Sequence, residues 1–145
     1  PDIDFHIGAQ TSMGPKLTCL EDKRNVHLYP GIRQEKYQEL LRNCFIYLDL
    51  NYGSEVSDVT LDAIENGQLL FGLESTVHRH CYKDLPTVYT SLEELEQGFR
   101  QLIQQAEFYP KALESQKEVL KLAEREEILA FFTRMEGEKD DDLHL

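Results

Sequence analysis

The chain has 145 residues, of which 41% are hydrophobic and 29% charged, a balance expected of one soluble domain with an ordinary core. Net charge is −12, with much of the acid late, at Glu124, Glu126, Glu127 and through residues 136–142. Nucleic-acid backbones are held by clustered lysine and arginine that release counterions, so this balance argues against a nucleic-acid partner. The acid reads as a solvated helix face and a frayed tail.

No apolar run approaches the roughly 20 residues that span a bilayer, and no basic, apolar leader opens the chain. The expectation is a cytoplasmic fragment or mature domain, at most peripheral at the cytoplasmic membrane face. Cys19, Cys44 and Cys81 form neither a C-x-x-C pair nor an even disulfide set, which fits a reducing compartment. Cys44 reads as a small buried hydrophobe.

Apolar runs alternate with helical periodicity along the chain, the pattern of βα units on a parallel sheet. The first strand covers residues 3–7 and ends at Gly8, and a short helix follows over 15–20. Residues 26–29 form a second strand, closed by Pro30 and Gly31. A helix over 34–43 sets Tyr37, Leu40 and Leu41 on one face at i, i+3, i+4. The strongest strand is 45–50, a near-continuous apolar run that suits a central position covered on both faces.

A loop over 51–54 leads to a helix over 57–65, stopped by Asn66 and Gly67. Residues 69–73 are the next buried strand, followed by a polar loop over 74–83 and a short strand at 87–89. Ser91 and Glu94 form a capping box that opens the next helix, which carries Leu95, Phe99, Leu102 and Ile103 and ends near Tyr109 and Pro110. A last helix over 112–135 precedes the acidic tail. The fold class is therefore α/β, a Rossmann-like parallel sheet flanked by helices. One domain covers residues 1–136 and the tail 137–145. The expectation is a fragment, or a domain whose first β-α unit is absent, because Pro1 is expected just ahead of what would be the second strand of such a domain.

In open parallel sheets ligands bind outside the carboxyl ends of the strands, near the point where strand order reverses. The loops that meet there carry Gly8, Ala9, Thr11 and, beyond them, Lys16; Tyr29, Gly31 and Ile32; Asn51, Tyr52, Gly53, Ser54, Glu55 and Val56; and Glu74, Thr76 and His78. The segment from Asn51 to Asp62 offers a helix N-terminus to an anion such as a diphosphate, with Glu55 and Asp62 as acceptors for sugar and ribose hydroxyls. On spacing alone, Glu55 reads equally as a residue favouring the helix start and Asp62 as a solvent-facing acid. His6 alternates with Phe5 and Ile7 and reads as a structural histidine. Lys16, Arg33 and Arg79 read as surface cations. His78, His80 and Cys81 lack the ligand number of a zinc site, so no metal is expected. There is no P-loop, no dinucleotide fingerprint and no nucleophile elbow.

The Asn51 to Asp62 segment resembles the acidic signature of the large retaining family of GT-B glycosyltransferases. Asp62-Ala63-Ile64-Glu65-Asn66-Gly67 is similar to its second element with Asp in place of Glu. Glu55 stands for the first acid, one position too close, with Val56 where that signature has glycine. A closer resemblance covers most of residues 5–80. Phe5-His6-Ile7-Gly8-Ala9, Thr11, Met13, Lys16-Leu17 and Asn25-Val26-His27-Leu28-Tyr29-Pro30 carry its first part. Tyr47-Leu48-Asp49-Leu50-Asn51-Tyr52-Gly53-Ser54-Glu55-Val56, Ala63-Ile64-Glu65-Asn66 and Glu74-Ser75-Thr76-Val77-His78 carry the rest. These look like the GtfB-type stabilising subunits of the accessory Sec glycosylation system of Gram-positive bacteria.

The resemblance implies the C-terminal half of a GT-B fold. It also implies a catalytic glycosyltransferase subunit as partner, in a hetero-oligomer that attaches N-acetylglucosamine to a Ser/Thr-rich adhesin. The stabilising subunit would bind acceptor and support its partner, with no cofactor. The alternatives are an active donor half that takes a UDP-sugar as substrate, with Glu55 and Asp62 at work, and a non-enzymatic Rossmann-like interaction domain.

Overall fold

The computed structural model describes residues 3–53 and 59–141. Strands and helices alternate as β1 (Phe5–Gly8), α1 (Pro15–Thr18), β2 (Val26–Tyr29), α2 (Gln34–Asn43), β3 (Ile46–Asp49), α3 (Val59–Glu65) and β4 (Leu69–Leu73). A 3-10 turn (His80–Asp84), β5 (Val88–Tyr89), α4 (Leu92–Gln104) and α5 (Phe108–Asp141) complete the chain. Every strand pair is parallel: Phe5 lies opposite Val26, Ile46 opposite Leu69, and Gly72 opposite Val88. Parallel neighbours need crossover connections, and the helical segments between these strands supply them.

β4 is the hydrophobic centre, buried along its whole length. Leu69, Phe71 and Leu73 pack with Leu95 of α4 and Ala112 of α5, while Leu70 meets Val77, Tyr82, Leu85 and Val88 on the opposite face. Full burial of such a side chain stabilises by about 1.5–3 kcal/mol. β5 is too short to pair with all of β4, and two side chains take over where it falls short. The Gln116 amide of α5 accepts from the Leu70 N–H at 2.9 Å and donates to the Gln68 carbonyl at 2.9 Å. The Thr87 hydroxyl donates to the Leu70 carbonyl. Buried backbone groups require such partners.

Ser91 caps α4 as its sequence indicates. Its hydroxyl accepts from the Glu94 N–H at 3.2 Å. The Glu94 carboxylate reaches back one residue further than expected, to the Thr90 N–H at 3.1 Å and the Thr90 hydroxyl at 2.7 Å.

Five expectations are corrected. The strands form two sheets among the described residues, β1-β2 and β3-β4-β5, rather than one. The run at 45–50 is therefore an edge strand, not one covered on both faces. Phe45 is 73% exposed and Leu50 41% exposed, because no described strand lies on the far side of β3. α4 stops at Gln104, and Tyr109 and Pro110 fall in the first turn of α5, where a proline's missing N–H has no helical partner to lose. The loop after β4 winds into the 3-10 turn. Finally, α5 continues past Met135 through Gly137 to Asp141, about 50 Å of helix in all, so the tail does not begin where the apolar pattern ends. The expected start of the third helix at Ser57 lies outside the described residues. No helix among the described residues is long and apolar enough to cross a membrane.

Candidate functional site

The loops at the carboxyl ends of the strands gather into two clusters. In the first, Gly8 closes β1 and the loop after it is zipped to the loop after β2. The Ala9 N–H donates to the Tyr29 carbonyl at 3.1 Å, the Gly31 N–H to the Thr11 carbonyl at 3.0 Å, and the Ile32 N–H to the Ala9 carbonyl at 2.9 Å. Gly31 takes a positive φ of 58°, a conformation that disfavours any side chain there. Ile32 sits so close over Gly8 that an added Cβ would meet its Cδ1 at 3.0 Å. Tyr29, Gly31, Ile32, Arg33 and Lys36 line a shallow depression on this cluster. The Lys36 ammonium stands 5.4 Å over the Tyr29 ring, a cation–π distance.

The second cluster lies at the ends of β3 and β4. Asn51 folds its side chain back to accept from the Gly53 N–H at 2.9 Å, which sets the turn. Tyr52 is 72% exposed. Thr76 is buried, and its hydroxyl donates to the Asp49 carbonyl at 2.6 Å and accepts from the Leu73 N–H at 3.2 Å. Its hydrogen-bonding capacity is turned inward, so Thr76 is a structural tie between β3 and β4, not a lining residue. Glu74 and His78 are exposed beside it. Lys16 is exposed on α1. Ser54, Glu55 and Val56 lie outside the described residues. No hydrogen bond or ring contact among the described residues joins the two clusters.

Asp62, in the first turn of α3, is half-buried, and its carboxylate accepts from the Tyr37 hydroxyl at 2.8 Å. Burial first, then this bond, holds the Tyr37 phenol well above its ordinary pKa. Asp62 is thus not a plain solvent-facing acid, because one of its oxygens is engaged by Tyr37. Tyr37 was legible only as an apolar-face residue of α2, and the pairing across 25 positions had no local signal.

Asp49 is quoted in the sequence only as part of the 45–50 strand and of the resemblance, with no role of its own. It is only 2% exposed, and the Thr60 hydroxyl points to its carboxylate at 3.4 Å. An added Cβ at Gly72 would meet the Asp49 carbonyl at 3.2 Å, so the strand ends approach closely here.

His6 is structural in its contacts but lies on an exposed face. Its ring stacks on His27 at 4.8 Å, and its Nδ1 hydrogen-bonds the Tyr29 hydroxyl at 2.9 Å. Partial burial, then His27, lowers its pKa. The three thiols are free, and burial pushes those of Cys44 and Cys81 up, so neither is an activated nucleophile.

Comparison with known proteins matches residues 1–116 to the family described as the GftB/GlyA-F C-terminal domain. A UDP-N-acetylglucosamine–peptide N-acetylglucosaminyltransferase stabilizing protein, GtfB, of Streptococcus parasanguinis is 45% identical over 74 residues, which cover 51% of this chain and 17% of that protein. Its counterpart in Limosilactobacillus reuteri is 38% identical over 78 residues, 54% of this chain and 18% of that protein. The chain thus spans about a fifth of the length of the curated relatives it matches. Among solved structures, a GtfA/B complex bound to UDP and GlcNAc superposes over 79% of this chain and 26% of that chain, with TM-score 0.68 and 28% identity. The α/β architecture, with parallel sheets flanked by helices, is that of glycosyltransferase chains.

Proposed function

Since the chain belongs to the GftB/GlyA-F C-terminal domain family, we propose that it serves in the C-terminal domain of a stabilising subunit. That subunit supports a catalytic glycosyltransferase in attaching N-acetylglucosamine to a Ser/Thr-rich adhesin. Its part is acceptor handling and support, with no cofactor of its own. The setting is the cytoplasm, with at most peripheral contact to the membrane, which suits three free thiols.

One observation carries the choice between support and donor chemistry. A donor half needs acids open to sugar and ribose hydroxyls, whereas the half-buried Asp62 carboxylate gives one of its oxygens to Tyr37 and so ties α3 to α2. Removing it therefore affects how α2 and α3 hold together more than how a nucleotide is held.

Calorimetric titration with UDP and UDP-N-acetylglucosamine tests the reading. It predicts no saturable binding that depends on Asp62. Tight binding lost in Asp62→Ala, with the fold intact by circular dichroism, would instead make this a donor site.

A further inference from the structure

α5 carries two apolar faces, and they point in different directions. Near its start Ala112 and Gln116 are buried and Val119 packs against the core, a row spaced four and three residues apart. Continued at that spacing, the row runs through Ala123, Glu127, Ala130 and Arg134 and loses its apolar character. A second row opens where the first closes. Ile128, Phe131, Phe132 and Met135 follow the i, i+3, i+4, i+7 spacing and all are exposed, with Leu129 at their margin. At 3.6 residues per turn the second row lies roughly 140° around the helix from the first. The described residues that seat the first row therefore do not cover the second.

Exposed apolar patches of this kind mark sites of association. The Phe131 and Phe132 rings meet edge-to-face at 5.8 Å, so the patch is presented as one ordered aromatic block. Charge along α5 says what fits it. On the N-terminal side of the patch the same face carries Lys117, Lys121 and Arg125, all exposed, flanked by Glu118 and Glu124. On its C-terminal side, residues 136–142 contain five acids and one lysine. One end thus leans basic and the other is strongly acidic. A helix with that polarity is complementary to a copy of itself laid antiparallel. The family match ends at residue 116, ahead of this whole stretch.

We propose that the Ile128–Met135 face of α5 pairs antiparallel with the same face of a second copy of this chain, about a two-fold axis beside Phe131 and Phe132. In such a contact every pairing occurs twice. Centred there, Phe131 of one copy lies level with Phe132 of the other, and Ile128 with Met135. The row of Lys117, Lys121 and Arg125 on each copy then runs towards the acidic 136–142 stretch of the other. A parallel pair would set acid beside acid instead. The net charge of −12 resists association away from this match, which makes the pairing specific to it. An anionic membrane surface is a poorer occupant, since helices that lie on it flank their apolar face with lysine and arginine, and this one runs into acid.

Sedimentation equilibrium of this chain over about 1–500 µM tests the pairing, a span suited to a small interface. The mass is expected to rise from 16.9 kDa towards twice that value. Phe132→Glu should hold the monomer mass throughout, with helix content by circular dichroism unchanged because the side chain is exposed. Arg125→Glu should weaken the dimer at least about tenfold, whereas Lys23→Glu, the same change of charge outside α5, should leave it within about twofold. Orientation is read by disulfide cross-linking in a Cys19→Ser background. Ile128→Cys mixed with Met135→Cys should link far more than either variant alone. A wild-type chain that stays monomeric overturns the pairing, whether or not it then takes up lipid vesicles or a basic helical peptide. So does a dimer that survives Phe132→Glu, or one that links best between like positions.

Discussion

The Tyr37 hydroxyl donates to the Asp62 carboxylate across 2.8 Å, tying the first turn of α2 to the first turn of α3. Hydrogen bonds to charged acceptors contribute about 1.5–3 kcal/mol, and partial exposure of this pair lowers the figure. Tyr37→Phe is expected to cost about 1 kcal/mol in urea denaturation. The phenol's raised pKa adds a pH dependence. Tyr37 favours the folded state fully below its unfolded pKa of about 10, and that contribution is lost as pH rises through the folded value. Wild type should therefore weaken in strong base more steeply than Tyr37→Phe.

Gly98 lies in the middle of α4, where glycine is otherwise unfavourable, and its reason is Tyr89. A Cβ at Gly98 would run into the Tyr89 phenol and ring. Gly98→Ala should destabilise by about 1–3 kcal/mol despite the better helix propensity of alanine. Combined with Tyr89→Ala, it should cost markedly less than the two changes summed, a coupling that a double-mutant cycle measures.

Gln116 is 2% exposed and serves Leu70 and Gln68 of the neighbouring chain segment at once. Gln116→Met keeps the volume and strands a buried N–H and a buried carbonyl. Each such loss costs about 1–3 kcal/mol, so a drop of at least about 2 kcal/mol in urea stability is expected. A near-neutral result would mean that β4 finds other partners.

Ser91→Ala removes the α4 cap and should cost about 1 kcal/mol. Bonds from Thr90 hold the Glu94 carboxyl below its ordinary pKa. Its contribution is present above the unfolded value of about 4.3 and is lost as pH falls through the folded value. Thr90→Val should flatten the acid limb of the stability curve.

Order and type of the elements were legible because each segment's periodicity, cap and turn residues agree. The Ser91 cap and the parallel alternation are local signals of that kind. What sequence could not show depends on pairing at a distance. The 45–50 run has the composition of a covered strand, and composition says nothing about whether a neighbour is there to cover it. Tyr37 and Asp62 each fit their own helix, and only the crossover brings them together. Thr76 sits at a strand end in the sequence, which says where its loop lies but not that its hydroxyl turns inward. The end of α5 was misplaced because helical propensity of charged residues carries it beyond the apolar pattern.

The central claim is that this domain supports a catalytic partner rather than transferring sugar itself. The most direct measurement replaces the matching C-terminal segment of the Streptococcus parasanguinis relative with this chain. N-acetylglucosamine transfer to a Ser/Thr-rich peptide is then assayed with and without the catalytic subunit. The account predicts transfer only when that subunit is present, and unchanged transfer when Asp62→Asn is introduced into a folded chimera. Transfer by the chimera alone, abolished by Asp62→Asn, would contradict it.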